Sequence, residues 1–126
     1  MDWKLEVVVI PVSDVDRAKT FYSEQLGFNV DVDNKAGETF RNVQLTPHGS
    51  ACSVVIGTGL TPGLQLVVVD AAAARAELVG RGVDVSRIQH FEDGGLADGP
   101  GGPWNTFFFF TDPDGNSWAV QEKPGM

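Results

Sequence analysis

The chain has 126 residues, 42% of them hydrophobic, which is the length of one domain with a sizeable core. Seventeen acidic against nine basic residues give a formal charge of −8, which argues against the basic face that nucleic-acid binding needs. The apolar runs are too short to span a membrane, and the single cysteine, Cys52, excludes an intrachain disulfide and any CxxC metal knuckle. Met1-Asp2-Trp3-Lys4 lacks the charged-then-apolar pattern of a signal peptide, so a soluble, cytoplasmic single domain is expected.

Leu5 to Ile10 is a β-branched run that predicts a strand buried on both faces. Ser13 stands where a helix N-cap is wanted, with Asp16 three residues on in the capping-box position. Val15, Ala18, Tyr22 and Leu26 recur at three- and four-residue spacing and predict an amphipathic helix ended by Gly27. Phe28 to Val32 alternates as a short strand. Thr39 to Leu45 and Ala51 to Ile56 predict a hairpin about a Pro47–Gly49 turn. The plan then returns, with strand Leu64 to Val69, helix Ala71 to Arg81 ended by Gly82, and strand Val83 to Gln89. Strands Thr106 to Thr111 and Asn116 to Glu122 complete it. Gly94 to Pro103 holds five glycines and two prolines in ten residues, which predicts a loop that is either a pocket lid or slack.

These elements form an internal repeat. At an offset of 66, Pro47 and Gly49 fall on Pro113 and Gly115, each pair in a turn between apolar runs. Val12-Ser13-Asp14 and Val68-Val69-Asp70 open the two helical patterns 56 residues apart, and the glycine-rich insertion accounts for the difference. The chain therefore divides into a first module at residues 3–58 and a second at 62–123. Each reads as βαβββ, an α+β class of fold.

With "VSDVDRAKTFYSEQLGF" opening the repeat and "DPDGNSWAVQE" closing it, the chain resembles the vicinal oxygen chelate superfamily. That group includes glyoxalase I, extradiol dioxygenases, methylmalonyl-CoA epimerase and bleomycin resistance proteins. The resemblance runs from Trp3 to Glu122. It implies a curved mixed sheet enclosing a pocket, with modules paired within or between chains, and a homodimer. It also implies metal ligands at one position on each of four strands. Counting from the matched motifs places these at Val7, Ser53, Gly63 and Ala119. Val, Gly and Ala have no donor atom and a lone Ser hydroxyl is a poor ligand, so no metal and no cofactor is expected. Gln65 and Gln121 lie two positions along the same strands, share the pocket face, and suit the orientation of a polar ligand group.

Among the remaining residues, Phe107 and Phe109 share one strand face and Phe108 and Phe110 the other. Trp104 and Trp3 are candidate stacking platforms, while Trp118 and Cys52 read as core. His48 reads as an exposed turn residue. His90 is either a general base or ligand contact at the pocket mouth, or a partly packed histidine, with Glu92 or Asp93 at hand for a stray ion. Arg41 is either an anion contact or a solvated strand end. No Ser-His-Asp order, phosphate-cradling loop or DNA-reading element occurs. The leading expectation is a metal-free protein binding a small, partly aromatic molecule, as in sequestration or resistance. Its pocket residues are Val7, Ser53, Gly63, Gln65, Trp104, Phe107, Phe109, Ala119 and Gln121. The alternative is an enzyme of the same fold, a lyase, isomerase or dioxygenase, with His90 as base or with noncanonical metal ligands. A third reading is an interaction module with a filled cavity.

Overall fold

The computed structural model describes residues 2–36, 40–58, 60, 62–92 and 95–125. Thr39, Asp93 and Gly94, named above, lie outside them. Contacts divide the chain into two units, Glu6–Leu64, and Met1–Leu5 with Gln65–Met126. Among the described residues no helix is long and apolar enough to cross a membrane.

The first unit holds β1 (Lys4–Pro11), α1 (Val15–Thr20), β2 (Asn29–Ala36), β3 (Phe40–Thr46) and β4 (Ser53–Gly57), in sheet order β2-β3-β4-β1. β1 and β4 run parallel, Val7 opposite Ser53, and the other pairs are antiparallel. Alternate strand residues Val43, Leu45 and Ile56 meet Val15 of α1, and Tyr22 and Phe28 close over them. The helix covers one face only. Within β1 Val7 alone is fully buried and Leu5 is 47% exposed, so the strand is not buried on both faces as its composition predicts.

Asp14, not Ser13, caps α1. Its backbone is extended (φ −137°, ψ 104°) and its carboxylate accepts the Arg17 N–H at 3.1 Å. Asp70 does the same for the second helix, accepting from Ala73 N at 3.0 Å. The predicted single helix also changes pitch, with Phe21–Gln25 forming a π-helical turn. Ser23 Oγ donates to the Lys19 carbonyl at 2.7 Å, competing with its own backbone N–H for the acceptor that an α-helix would use.

The second unit holds β5 (Gly63–Val68, from Gln65), α2 (Ala71–Gly80), β6 (Gln89–Glu92), β7 (Gly95–Asp98), β8 (Phe107–Thr111) and β9 (Ser117–Glu122), in order β5-β9-β8-β6-β7. Ala71 and Ala74 are fully buried because their small side chains let α2 lie close on Phe108, Val68 and Val120. Trp3 packs against this same core and donates Nε1–H to Glu77 at 3.1 Å, so it is a packing residue rather than a stacking platform. Phe110 and Trp118 stack at 6.0 Å with planes 3° apart, as their shared parity predicts. Cys52, in the first unit, is half-buried rather than core.

Two elements depart from the expected repeat. Residues 83–88 form no strand. The Ser86 hydroxyl accepts the Phe109 N–H at 2.9 Å and the Ser86 carbonyl accepts from Arg75 Nε at 2.7 Å, so a regular ladder is lost. Conversely the glycine-rich stretch is not all loop. Gly95–Asp98 pairs with β6, Phe91 opposite Leu96, because four consecutive residues suffice for an edge strand and the prolines fall outside them. The second module is thus βαββββ. Gly49 and Gly115 have φ of +80° and +86°, the left-handed backbone that both repeated turns require.

Candidate functional site

Antiparallel pairing of β8 with β9 sets Phe107 opposite Gln121 and Phe109 opposite Ala119, so all four share a face. β6 joins β8 with Gln89 opposite Phe107, which brings Phe91 to that face. The Phe107 and Phe109 rings are parallel, 6.0 Å apart and 4° from coplanar orientation. Phe91 meets both edge-on, at 5.1 and 6.5 Å. Phe107 is buried and Phe91 is 49% exposed, leaving a three-ring wall with an open rim.

The position of Phe91 depends on Asn105, which sequence reasoning passed over. Asn105 Oδ1 accepts the Phe91 N–H at 2.8 Å and its Nδ2 donates to the Phe91 carbonyl at 2.9 Å. A side-chain amide thus takes the part of a neighbouring strand just where the β6–β8 ladder ends. An asparagine beside a glycine- and proline-rich stretch reads as a turn residue, so nothing in the sequence marks this role.

At the border of the wall, Gln65 Nε2 donates to Gln121 Oε1 at 2.7 Å, and Gln121 Nε2 donates to the Trp104 carbonyl at 2.8 Å. The structure therefore brings Gln65, Gln121, Trp104, Phe107, Phe109 and Ala119 together in one unit. Trp104 has a φ of +63° and is 49% exposed. Beside it a hollow of about 280 Å³ is bounded by Gly101, Gly102, Pro103, Trp104, Glu122, Pro124 and Gly125. A hollow of about 510 Å³ in the first unit lies over Asp16, Arg17, Thr20, Phe21 and Gln25. Neither is lined by the phenylalanine wall.

His90 alternates with Gln89 and Phe91, so it leaves β6 on the side away from the wall. Its Nδ1 lies 2.9 Å from the Gly99 carbonyl and its Nε2 2.8 Å from Glu92 Oε1, two residues along the same strand face. Two acceptors flank the ring, an arrangement that favours imidazolium. The Glu92 carboxylate first, and the Gly99 carbonyl second, raise its pKa above 6.5. The stabilisation from this clamp is complete below about pH 6.5, where the unfolded chain also carries the proton. It is lost as pH rises through the higher folded value. An NMR titration of His90 is expected to give a midpoint above 6.5 that falls in Glu92→Gln; a wild-type midpoint at or below 6.5 would refute the clamp.

Arg41 does not face an open anion site. Its guanidinium bonds Asp33 at 3.0 and 2.8 Å and also Asp16, and Lys19 reaches Asp33 at 2.8 Å. Arg41 and Lys19 hold the Asp33 carboxyl well below the usual range. His48 is exposed in its turn, as expected.

Residues 7–34 match the family model described as bleomycin resistance protein-like N-terminal. The chain is similar to methylmalonyl-CoA epimerase from Mycobacterium tuberculosis, with 21% identity over 96% of this chain and 88% of that one and a TM-score of 0.74. It is similar in sequence to a glyoxalase/bleomycin resistance protein from Streptomyces sp. CB03234, at 33% identity over 94% and 100% of the two chains (TM-score 0.41). An antibiotic binding protein from the same organism shares 32% identity over 96% of each chain (TM-score 0.41). The chain belongs to the glyoxalase/bleomycin resistance/dioxygenase superfamily. No curated protein matches it.

Members of this superfamily that use a metal need donor side chains, and the residues here do not fit one. Val7 and Ser53 face each other across β1 and β4, both buried. The Ser53 hydroxyl is 2.7 Å from Thr46 Oγ1, which in turn bonds Asp31. Gly63 and Ala119, both half-buried, offer no donor atom. Among the described residues no group of three or more His, Cys, Asp and Glu side chains is placed to hold an ion.

Proposed function

We propose that this superfamily member is a metal-independent binding protein that takes a small, partly aromatic molecule against Phe91, Phe107 and Phe109, in a sequestration or resistance-like role. The observation that carries the reading is the three-ring wall with the Gln65–Gln121 pair at its border. Aromatic rings fixed edge-on and face-on supply stacking surface without first having to be ordered, and a few polar groups beside them set orientation. The donor-poor set at Val7, Ser53, Gly63 and Ala119 supports chemistry that needs no metal. His90, with both nitrogens facing acceptors, has no catalytic part in this reading.

The test is a 15N–1H NMR titration with naphthalene-2-carboxamide, a flat ring with one polar edge. Saturable shifts of the backbone and side-chain signals around Phe91, Phe107 and Gln121 are expected. Phe91→Ala, at a half-exposed position, should weaken binding by about tenfold, the upper range of an aromatic pair contact. Binding unchanged in Phe91→Ala would refute the wall as the site.

A further inference from the structure

The amide pair beside the wall has a fixed sense, and that sense selects a ligand. A backbone carbonyl only accepts, so the Gln121 group 2.8 Å from the Trp104 oxygen is its NH2. Gln121 must then turn Oε1 toward Gln65, and Gln65 answers with its own NH2 at 2.7 Å. Neither amide can flip without setting two donors or two acceptors against each other. Among the described residues Gln65 Oε1 has no hydrogen bond, and no buried side-chain oxygen or nitrogen there lacks a partner, so this oxygen reaches the surface. Each Gln NH2 also keeps one N–H unused in the pair. The pair therefore keeps one acceptor, Gln65 Oε1, and one unused N–H on each amide.

Charge narrows the choice. From Gln65 onward, the face positions of β5, β6, β8 and β9 carry only uncharged side chains, and on β7 Asp98 stands opposite Gln89. That carboxylate is paired with Arg87 at 3.1 Å. With a chain charge of −8 and Arg87 already paired to Asp98, the described strand positions of this face offer no unpaired cation to an incoming anion.

We infer that the ligand is an uncharged planar aromatic molecule with an amide-like edge, one N–H beside one C=O, its N–H given to Gln65 Oε1 and its carbonyl to an unused glutamine N–H. This rests on the wall proposed above, which takes the ring. A carboxylate of the same shape loses the N–H and sets a charge against Gln65 Oε1. Leaving that oxygen dry and unpaired costs binding, whereas an amide edge pairs it.

The experiment compares naphthalene-2-carboxamide with 2-naphthoate by NMR titration of the whole chain, following the side-chain NH2 signals of Gln65 and Gln121. The carboxamide should bind about tenfold more tightly or better, and shift the Gln65 NH2 signals most. In Gln65→Leu, which leaves the Gln121–Trp104 bond in place, the two affinities should converge to within about twofold. Equal binding by the wild type, tighter binding of the naphthoate, or a preference that survives in Gln65→Leu would each overturn the amide-edge inference while leaving the wall standing. Failure of both compounds to shift Phe91 would overturn both readings.

Discussion

Phe108→Ala is expected to lower the free energy of unfolding by about 3–5 kcal/mol, the largest loss available from one ring in this core. Phe108 is fully buried, opposite Val120 in the β8–β9 register, and it packs on Val68, Ala71 and Ala74. Its neighbours cannot refill the space, because two of them are alanines on a helix already seated against the strands. A domain is commonly stable by about 5–15 kcal/mol, so the variant should sit near the edge of folding. Denaturant unfolding monitored by circular dichroism gives the midpoint. Phe110→Ala is the comparison, since that ring is only partly buried and should cost less. Equal losses from the two variants would contradict the difference in burial between these two rings on one face of β8.

Gly101→Ala is expected to damage both stability and ligand binding, although Gly101 belongs neither to the wall nor to the glutamine pair. A Cβ there would stand 2.3 Å from the Asn105 carbonyl oxygen and 2.8 Å from His90 Cβ. The first obstacle is backbone and has little freedom to move. Relief requires shifting residues 101–106, which breaks the 3.1 Å bond from Gly101 N to Thr106 Oγ1 and draws Asn105 away from Phe91. Overpacking of this kind costs about 1–3 kcal/mol. Loss of the Asn105 clamp should also release Phe91 from the wall and weaken binding of naphthalene-2-carboxamide at least as much as Phe91→Ala does. Gly102→Ala is the control. Nothing lies within 4 Å of its added carbon, so its stability should stay within about 0.5 kcal/mol of the wild type. Thermal unfolding of the pair decides the matter: if both glycine variants behave alike, the close approach at Gly101 is not what the loop depends on.

The features legible in the sequence are those fixed by periodicity or by repetition. The alternation of Phe107 to Phe110 divides wall from core, and the matched glycines 49 and 115 mark turns of the same handedness. Gln65 and Gln121 could be assigned to one face by parity alone, and they meet there. The misses share a cause, which is a side chain standing in for backbone. Ser23 bends a helix out of α pitch, Ser86 interrupts a strand, and Asn105 extends one. Hydroxyls and amides of this kind are scattered through any chain, and only tertiary position decides which of them compete with the main chain. The N-cap could have been read correctly. Aspartate recurs at the equivalent place in both modules, Asp14 and Asp70, whereas Ser13 has Val69 as its counterpart.

The β6–β7 hairpin meets β8 through one register pair, Gln89 with Phe107, and beyond it through a borrowed amide. A ribbon attached at a single rung can be lengthened, shortened or recoded in sequence without forcing the strands beside it to slip. The rim of the wall, Phe91 and Leu96, belongs to this ribbon, while the load of folding falls on Phe108, Val120 and α2. On the proposed reading, change in what is recognised and preservation of what folds fall to different stretches of one short chain, which gives selection room to retune the first at little risk to the second.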